Sequence, residues 1–286
     1  MISAEEIARI KENIFPKSRK SIQNYYDFPW HQDAQRKPDT YKPQSSQAVV
    51  IDVFGFLKQS RHRDELVGDF FQVEANRWTI TFERTDKALL NELTPTQLDA
   101  LLESEGASII IEGKFMESDA GACSQTGRGS TVAQCNGDYA PQRNPRNNLV
   151  SNCALTGKAI KYWDFIPKLY KYDRGRTYSP CPFKGSQYQW MRILCAAKAM
   201  AVSTGKTVKS FVFYFQSEKC PLYRKIMRDH YIQRSTADLI HPSMLNFSSY
   251  NDFVKHCVAY CSAHDYDETE DWQHLSDWLA AKEESL

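Results

Sequence analysis

The spacing of hydrophobic and polar positions changes several times along the chain, and each change marks an element. Ile7, Ile10 and Ile14 recur at helical spacing behind Ser3, with Glu6 three residues after it, so a capped helix opens the chain within residues 1–24. Residues 27–46 carry Pro29, Pro38 and Pro43 among polar groups and read as a loop. The run SSQAVVIDVFGFLKQS at 45–60 reads as a buried helix capped by Ser45 or Ser46, although its β-branched content also permits a strand. Asp52 inside it points to solvent or to a neighbouring cation. Residues 61–71 read as a helix or a loop–helix join. Trp78 to Glu83 alternates apolar with polar, as a half-buried strand does. Residues 153–170 predict a helix with Ile160, Trp163, Ile166 and Leu169 on one face and Pro167 bending or ending it. The clearest helix is QYQWMRILCAAKAMAV at 187–202, whose small residues suit close packing on a sheet. Val208 to Gln216 is almost wholly β-branched or aromatic and predicts a central strand. Helices over 250–263 and 271–283 follow. There are no internal repeats.

Residues 94–103, TPTQLDALLE, satisfy two patterns. Thr94, Pro95 and Gln97 make a helix start, with Leu98, Leu101 and Leu102 at helical spacing. A two-residue turn on Glu105-Gly106 instead makes the stretch one arm of a hairpin with the run that ends in Ile109-Ile110-Ile111. Ser104 then faces Ala107, Leu102 faces Ile109 and Asp99 faces Glu112, while Leu98, Ala100, Leu102, Ile109 and Ile111 share an apolar face. Only the hairpin explains both the turn and the matching apolar face, and local propensity is weak against tertiary context. The strand reading is preferred. The elements together predict an α/β fold, a small mixed central sheet flanked by helices. Residues 1–77 form an N-terminal helical region packed on a core of 78–286, in one compact unit.

Facing residues on one sheet face have Cβ atoms roughly 4.5–5.5 Å apart, and Lys114 projects from the same face as Glu112. Two carboxylates that close repel unless a cation lies between them. Hard divalent ions such as Mg²⁺ take oxygen ligands of this kind, activate water and stabilise charge on a phosphoryl oxygen. A neighbouring ammonium orients the attacking water or stabilises the developing charge. The chemistry that fits is metal-assisted phosphodiester hydrolysis. A surface hairpin with an ordinary Glu–Lys pair fits the spacing equally well.

Asp99, twelve intervening residues, then Glu112-x-Lys114 fed by an apolar strand resembles the PD-(D/E)XK nuclease superfamily, whose fold is restriction-endonuclease-like. PTQLDALL followed by IIIEGKFMES looks especially like bacterial restriction-endonuclease-like members. The resemblance covers about residues 78–215. It implies that Asp99 and Glu112 hold Mg²⁺ (or Mn²⁺) with the backbone carbonyl of Gly113, and that Lys114 is the catalytic lysine. It matches Glu83 loosely to an extra acid of some members. It also makes Gln187, Gln189 and Arg192 candidates for positioning substrate or water. The superfamily's proline directly before the aspartate is replaced here by Leu98, with Pro95 four residues before Asp99. The function implied is a DNA endonuclease of restriction or defence type, with a dimer expected by analogy. A repair or recombination nuclease fits the same residues.

Composition leaves this open but narrows it. With 42% hydrophobic and 25% charged residues in 286, the chain has the balance of a folded globular protein. No apolar run approaches the ~18 residues of a membrane span, and the charged N-terminus lacks a signal-peptide core. The expected compartment is the cytoplasm, where the eight cysteines stay reduced. Cys123, Cys135, Cys153 and Cys181 fall in or beside a loosely patterned insertion (116–182). They are either unligated thiols or ligands of Zn²⁺ or an iron–sulfur cluster, which a few nucleases of the superfamily carry. A non-catalytic nucleic-acid-binding module stabilised by such a metal is the competing reading. Net charge is only +1, yet Ala140 to Lys184 holds nine Lys or Arg against two Asp. Lys158, Lys161, Lys168, Lys171, Arg174 and Arg176 are therefore candidates for DNA phosphates. The aromatics among them, including Tyr162, Trp163 and Tyr170, either join that surface or pack inside.

Overall fold

The computed structural model describes residues 2–74, 76–126, 153–171, 181 and 187–286. Helix α1 (Ala4–Glu12) begins with the expected capping box: Ser3 Oγ accepts from the Glu6 amide at 3.1 Å, and the Ser3 amide donates to Glu6 Oε2 at 2.8 Å. After a short 3₁₀ turn (Pro16–Ser21) and a loop come α2 (Ser46–Gln59), capped by Ser45, and α3 (Arg63–Phe71). The chain continues through β1 (Thr79–Thr85), α4 (Lys87–Leu90), β2 (Gln97–Glu103) and β3 (Ala107–Lys114). Next are α5 (Ala154–Gly157), α6 (Tyr162–Leu169), α7 (Tyr188–Thr204) and β4 (Thr207–Tyr214). It ends with α8 (Pro221–Arg228), α9 (Tyr231–Thr236), β5 (Leu245–Ser249), α10 (Tyr250–Ala263) and α11 (Thr269–Glu284).

The strands lie in chain order in one five-stranded sheet. β1, β2 and β3 are antiparallel, whereas β4 and β5 run parallel to β3. The sheet is mixed because a two-residue turn closes β2 onto β3, while β3 reaches β4 only by a crossover that ends in α7. The turn is where the pattern places it: the Ser104 amide donates to the Ala107 carbonyl at 2.9 Å. Leu102 pairs with Ile109 and Ala100 with Ile111, the register that the turn dictates.

Both sheet faces are covered. Ala100, Leu102, Ile109 and Ile111 pack with residues of α2, α3, α10 and α11, such as Phe54, Phe71, Phe253 and Trp272. Leu101, Ile110 and Val212 pack on the other face with Trp163, Ile166, Trp190 and Leu194 of α6 and α7. Ile109, Ile110 and Ile111 are fully buried, each contributing roughly 1.5–3 kcal/mol of burial free energy. The hairpin thus has no solvated face. Leu98 joins the Leu101 and Ile110 side, not the side of Ala100 and Leu102 as strict alternation predicts. Alternation is lost where Glu83 of the neighbouring strand turns left-handed (φ 55°).

The stretch 153–170 is two helices, not one. Ala159 has φ 62° and the Ile160 amide reaches back to the Leu155 carbonyl at 3.1 Å, a left-handed cap that stops α5. Pro167 sits inside α6 without ending it. β5 and α8–α9 have no counterpart in the sequence reading.

Candidate active site

The ladder between β1, β2 and β3 becomes irregular at one row. Phe82 pairs with Ala100 and Arg84 with Leu98, so the register sets Glu83 opposite Asp99. Continuing β2–β3 pairing beyond Ala100 and Ile111 sets Asp99 opposite Glu112. Asp99, on the middle strand, therefore has a carboxylate on each side. All three acids are buried. Asp99 Oδ2 accepts from the Gly113 amide at 2.6 Å, and Glu112 Oε1 accepts from Lys114 Nζ at 2.6 Å. Gly113 leaves no room for a side chain: a Cβ there would lie 2.2 Å from Val50 Cγ2 and 2.4 Å from the Tyr250 hydroxyl.

The row is completed from the N-terminal loop. Gln47, at the start of α2, accepts from the His31 amide (2.9 Å) and the Thr40 hydroxyl (2.5 Å), and its Nε2 donates to Glu83 Oε1 (2.5 Å). His31 Nε2 lies 3.5 Å from Glu83 Oε1. His31, Glu83 and Asp99 each offer one ligand atom, all within 4.8 Å of one another.

Burial, then the carboxylates of Glu112 and Glu83, push the Asp99 carboxyl well above its usual range, with Lys114 and His31 opposing. Burial acts against charge on Lys114, but Glu112, Glu117 and Asp99 outweigh it and hold the ammonium above its ordinary value. Burial likewise acts against charge on His31, yet the hydrogen bond and charge of Glu83, with Asp99 and Asp39, lift it to about 9. Three buried acids thus face one lysine and one histidine, and Glu83 Oε2 is buried without a hydrogen-bond partner. An orphaned carboxylate oxygen in an acid-rich row is what a divalent cation relieves, so the residues fit one.

The row opens on a cavity of about 300 Å³ lined by His31, Ser46, Asp99, Glu112, Gly113, Lys114, Glu117, Gln189 and Arg192, among others. A wider cleft of about 770 Å³, lined by the 29–46 loop, shares His31, Ser46, Gln97 and Glu117 with it.

One protein-family model, described as Restriction Endonuclease associating with ARP (REase-ARP), matches residues 3–275. This chain belongs to the REase-ARP family. No curated protein and no solved structure matched in the same comparisons. The match spans both the 29–46 loop and the hairpin.

In this REase-ARP chain the structure brings Glu83, Asp99, Glu112, Gly113 and Lys114 together, with Gln189 and Arg192 lining the same cavity. Arg192 is held by Glu92 (3.2 Å) and the Thr96 hydroxyl (3.1 Å). Gln187 precedes α7 and does not line the cavity. Lys158, Lys161, Lys168 and Lys171 are exposed, but Tyr162, Trp163 and Tyr170 pack into the core and so do not join that surface. Cys123, Cys153 and Cys181 border the same apolar cluster. Among the described residues the only group of three placed to hold a metal contains no cysteine. Cys135, Arg174 and Arg176 lie outside the described residues. His31, Gln47 and Glu117 escaped the sequence reading. A lone glutamine opening an apolar helix is a weak signal for Gln47; His31 and Glu117 have none.

Proposed function

We propose that this chain is a divalent-metal-dependent DNA endonuclease of PD-(D/E)XK type, acting in restriction or defence. The observation that carries the reading is the convergence of Asp99, Glu112 and Lys114 at one cavity, with Lys114 Nζ 2.6 Å from Glu112 Oε1. Asp99, Glu112 and the Gly113 carbonyl are the groups that hold the cation. When bound, the cation lowers the pKa of water and stabilises charge on a phosphoryl oxygen. Lys114 stays protonated, so it acts as a hydrogen-bond donor, orienting the attacking water and countering charge that develops on the phosphate. Glu112 fixes that ammonium in place. Gln189 and Arg192 position the substrate from the facing wall. Exposed Lys158, Lys161, Lys168 and Lys171 contact backbone phosphates without reading bases. The family description, a restriction endonuclease, favours this over a repair enzyme or a binding module.

Plasmid and linear DNA incubated with Mg²⁺ or Mn²⁺ test the reading. Wild type cleaves; Lys114→Ala and Glu112→Ala each lose at least ~10²-fold in rate, the scale of removing one preorganised electrostatic contact. Circular dichroism checks that both variants are folded. Cleavage that survives both substitutions overturns the assignment.

A further inference from the structure

The His31 side of the row is not used by the chemistry above. We infer that His31, Glu83 and Asp99 hold a first-row transition-metal dication at a position of its own, with Asp99 common to it and to the Glu112–Gly113 position. The inference deepens the nuclease reading by adding an imidazole donor, but it stands on metal binding alone.

Three observations carry it. First, the three ligand atoms lie within 4.8 Å of one another. Three donors spread evenly around one ion at about 2.0–2.2 Å lie about 3.3–3.8 Å apart, so side-chain shifts of at most about an ångström close the site. Second, Glu83 Oε2 is buried and unpartnered, although its Oε1 is tied to Gln47. An ordinary His–Glu ion pair leaves that oxygen unsatisfied and makes no use of Asp99. Third, the donors are held from behind. Gln47 Oε1 accepts from the His31 backbone amide, which anchors the loop that carries the imidazole, and Gln47 Nε2 donates to Glu83 Oε1, an outer-shell bond to a ligating carboxylate. His31 borders both the cavity and the wider cleft, which gives an ion a way in.

The donor chemistry selects the ion. A purely carboxylate site suits Mg²⁺, whereas an imidazole nitrogen favours the first transition row. Mn²⁺ is the probe, because its electron spin reports directly on a coordinated nitrogen.

Metal-free protein, without DNA, is loaded with substoichiometric Mn²⁺ and examined by electron spin-echo envelope modulation. Wild type and Glu112→Gln both show imidazole-nitrogen coupling, and ten-fold excess Mg²⁺ does not abolish it. His31→Gln loses the coupling and binds Mn²⁺ at least ~10-fold more weakly. Absence of nitrogen coupling in wild type overturns the inference, as does coupling that persists in His31→Gln. Loss of the coupling at ten-fold excess Mg²⁺ or below overturns the choice of ion. Because wild type alone can refute it, a poorly folding variant does not shield the proposal. Nitrogen coupling in a protein that fails to cut DNA upholds this site while the nuclease reading falls; cleavage without nitrogen coupling does the reverse.

Discussion

Two clusters of buried charge border α2, and they differ in a way that separates structure from function. Midway along the helix, Asp52 accepts from the Phe15 amide (2.6 Å), Trp278 Nε1 (3.0 Å) and Lys282 Nζ (3.3 Å). Lys282 also donates to the backbone and side-chain oxygens of Asn13 at 2.7 and 2.8 Å. One acid meets one base, and both are enclosed. At the start of the same helix, Glu83, Asp99 and Glu112 outnumber Lys114 and His31, one carboxylate oxygen has no partner, and the row faces a cavity. Burying charge is costly in both places. The first cluster offsets the cost internally; the second leaves an excess of acid and one unpartnered carboxylate oxygen. Burial of an acid alone is therefore no sign of a site, but burial with an excess of one charge at an opening is.

Breaking the closed cluster gives the largest change in stability. Asp52→Ala lowers unfolding free energy by about 3–5 kcal/mol in denaturant titration, because a buried ammonium and two N–H groups lose their acceptor. Adding Lys282→Met recovers part of the loss. Equal, additive losses would mean that the two residues are not one unit.

Gly113→Ala tests the backing of the open cluster. Its methyl meets Val50 and Tyr250 at impossible distances, so stability falls by about 1–3 kcal/mol as the core shifts. Cleavage falls with it, since the same residue lies between Glu112 and Lys114. An unchanged melting temperature would show that the strand tolerates more than its packing allows.

The smallest effect has the opposite sign. Asp99→Asn removes a carboxyl whose charge is opposed by burial, Glu112 and Glu83, so metal-free protein gains about 1 kcal/mol, an upward shift of roughly 2–4 °C in melting temperature. Divalent cations stabilise wild type by up to about 2.7 kcal/mol at a hundred times the dissociation constant, and this response is lost in the variant. A destabilised Asp99→Asn that still responds to metal would put the two clusters in one class.

Much of this was readable in the chain, for identifiable reasons. The Glu105-Gly106 turn sets the register from Ala100 to Ile111, and extending it by one residue on each strand puts Asp99 opposite Glu112. Ser3 and Glu6 announce α1, and the β-branched and aromatic run 208–216 announces β4. β5 is invisible for the converse reason. Asn246, Ser248 and Ser249 have little strand character, and its pairing with β4 is imposed from outside. The break at Ala159 was hidden because a left-handed alanine has no sequence mark. Asp52 reads as a helix-face acid beside solvent or a cation. Its partner Lys282 lies at the far end of the chain, so its complete burial could not be read locally.

The hairpin and its charged trio follow from the linear chain because hydrogen-bond register and two-residue alternation are local rules. A turn and a period are enough to set which residues face one another. Everything that turns the trio into a site is non-local. His31 reaches the row only because Gln47 ties a proline-flanked loop to Glu83. Arg192 and Gln189 face it only because α7 packs across the sheet. Glu83 is buried with one carboxylate oxygen unpartnered only because Gln47 of α2 and the His31 loop cover it. Adjacency across the chain depends on how layers stack, and burial then decides what charge costs; neither is written in spacing.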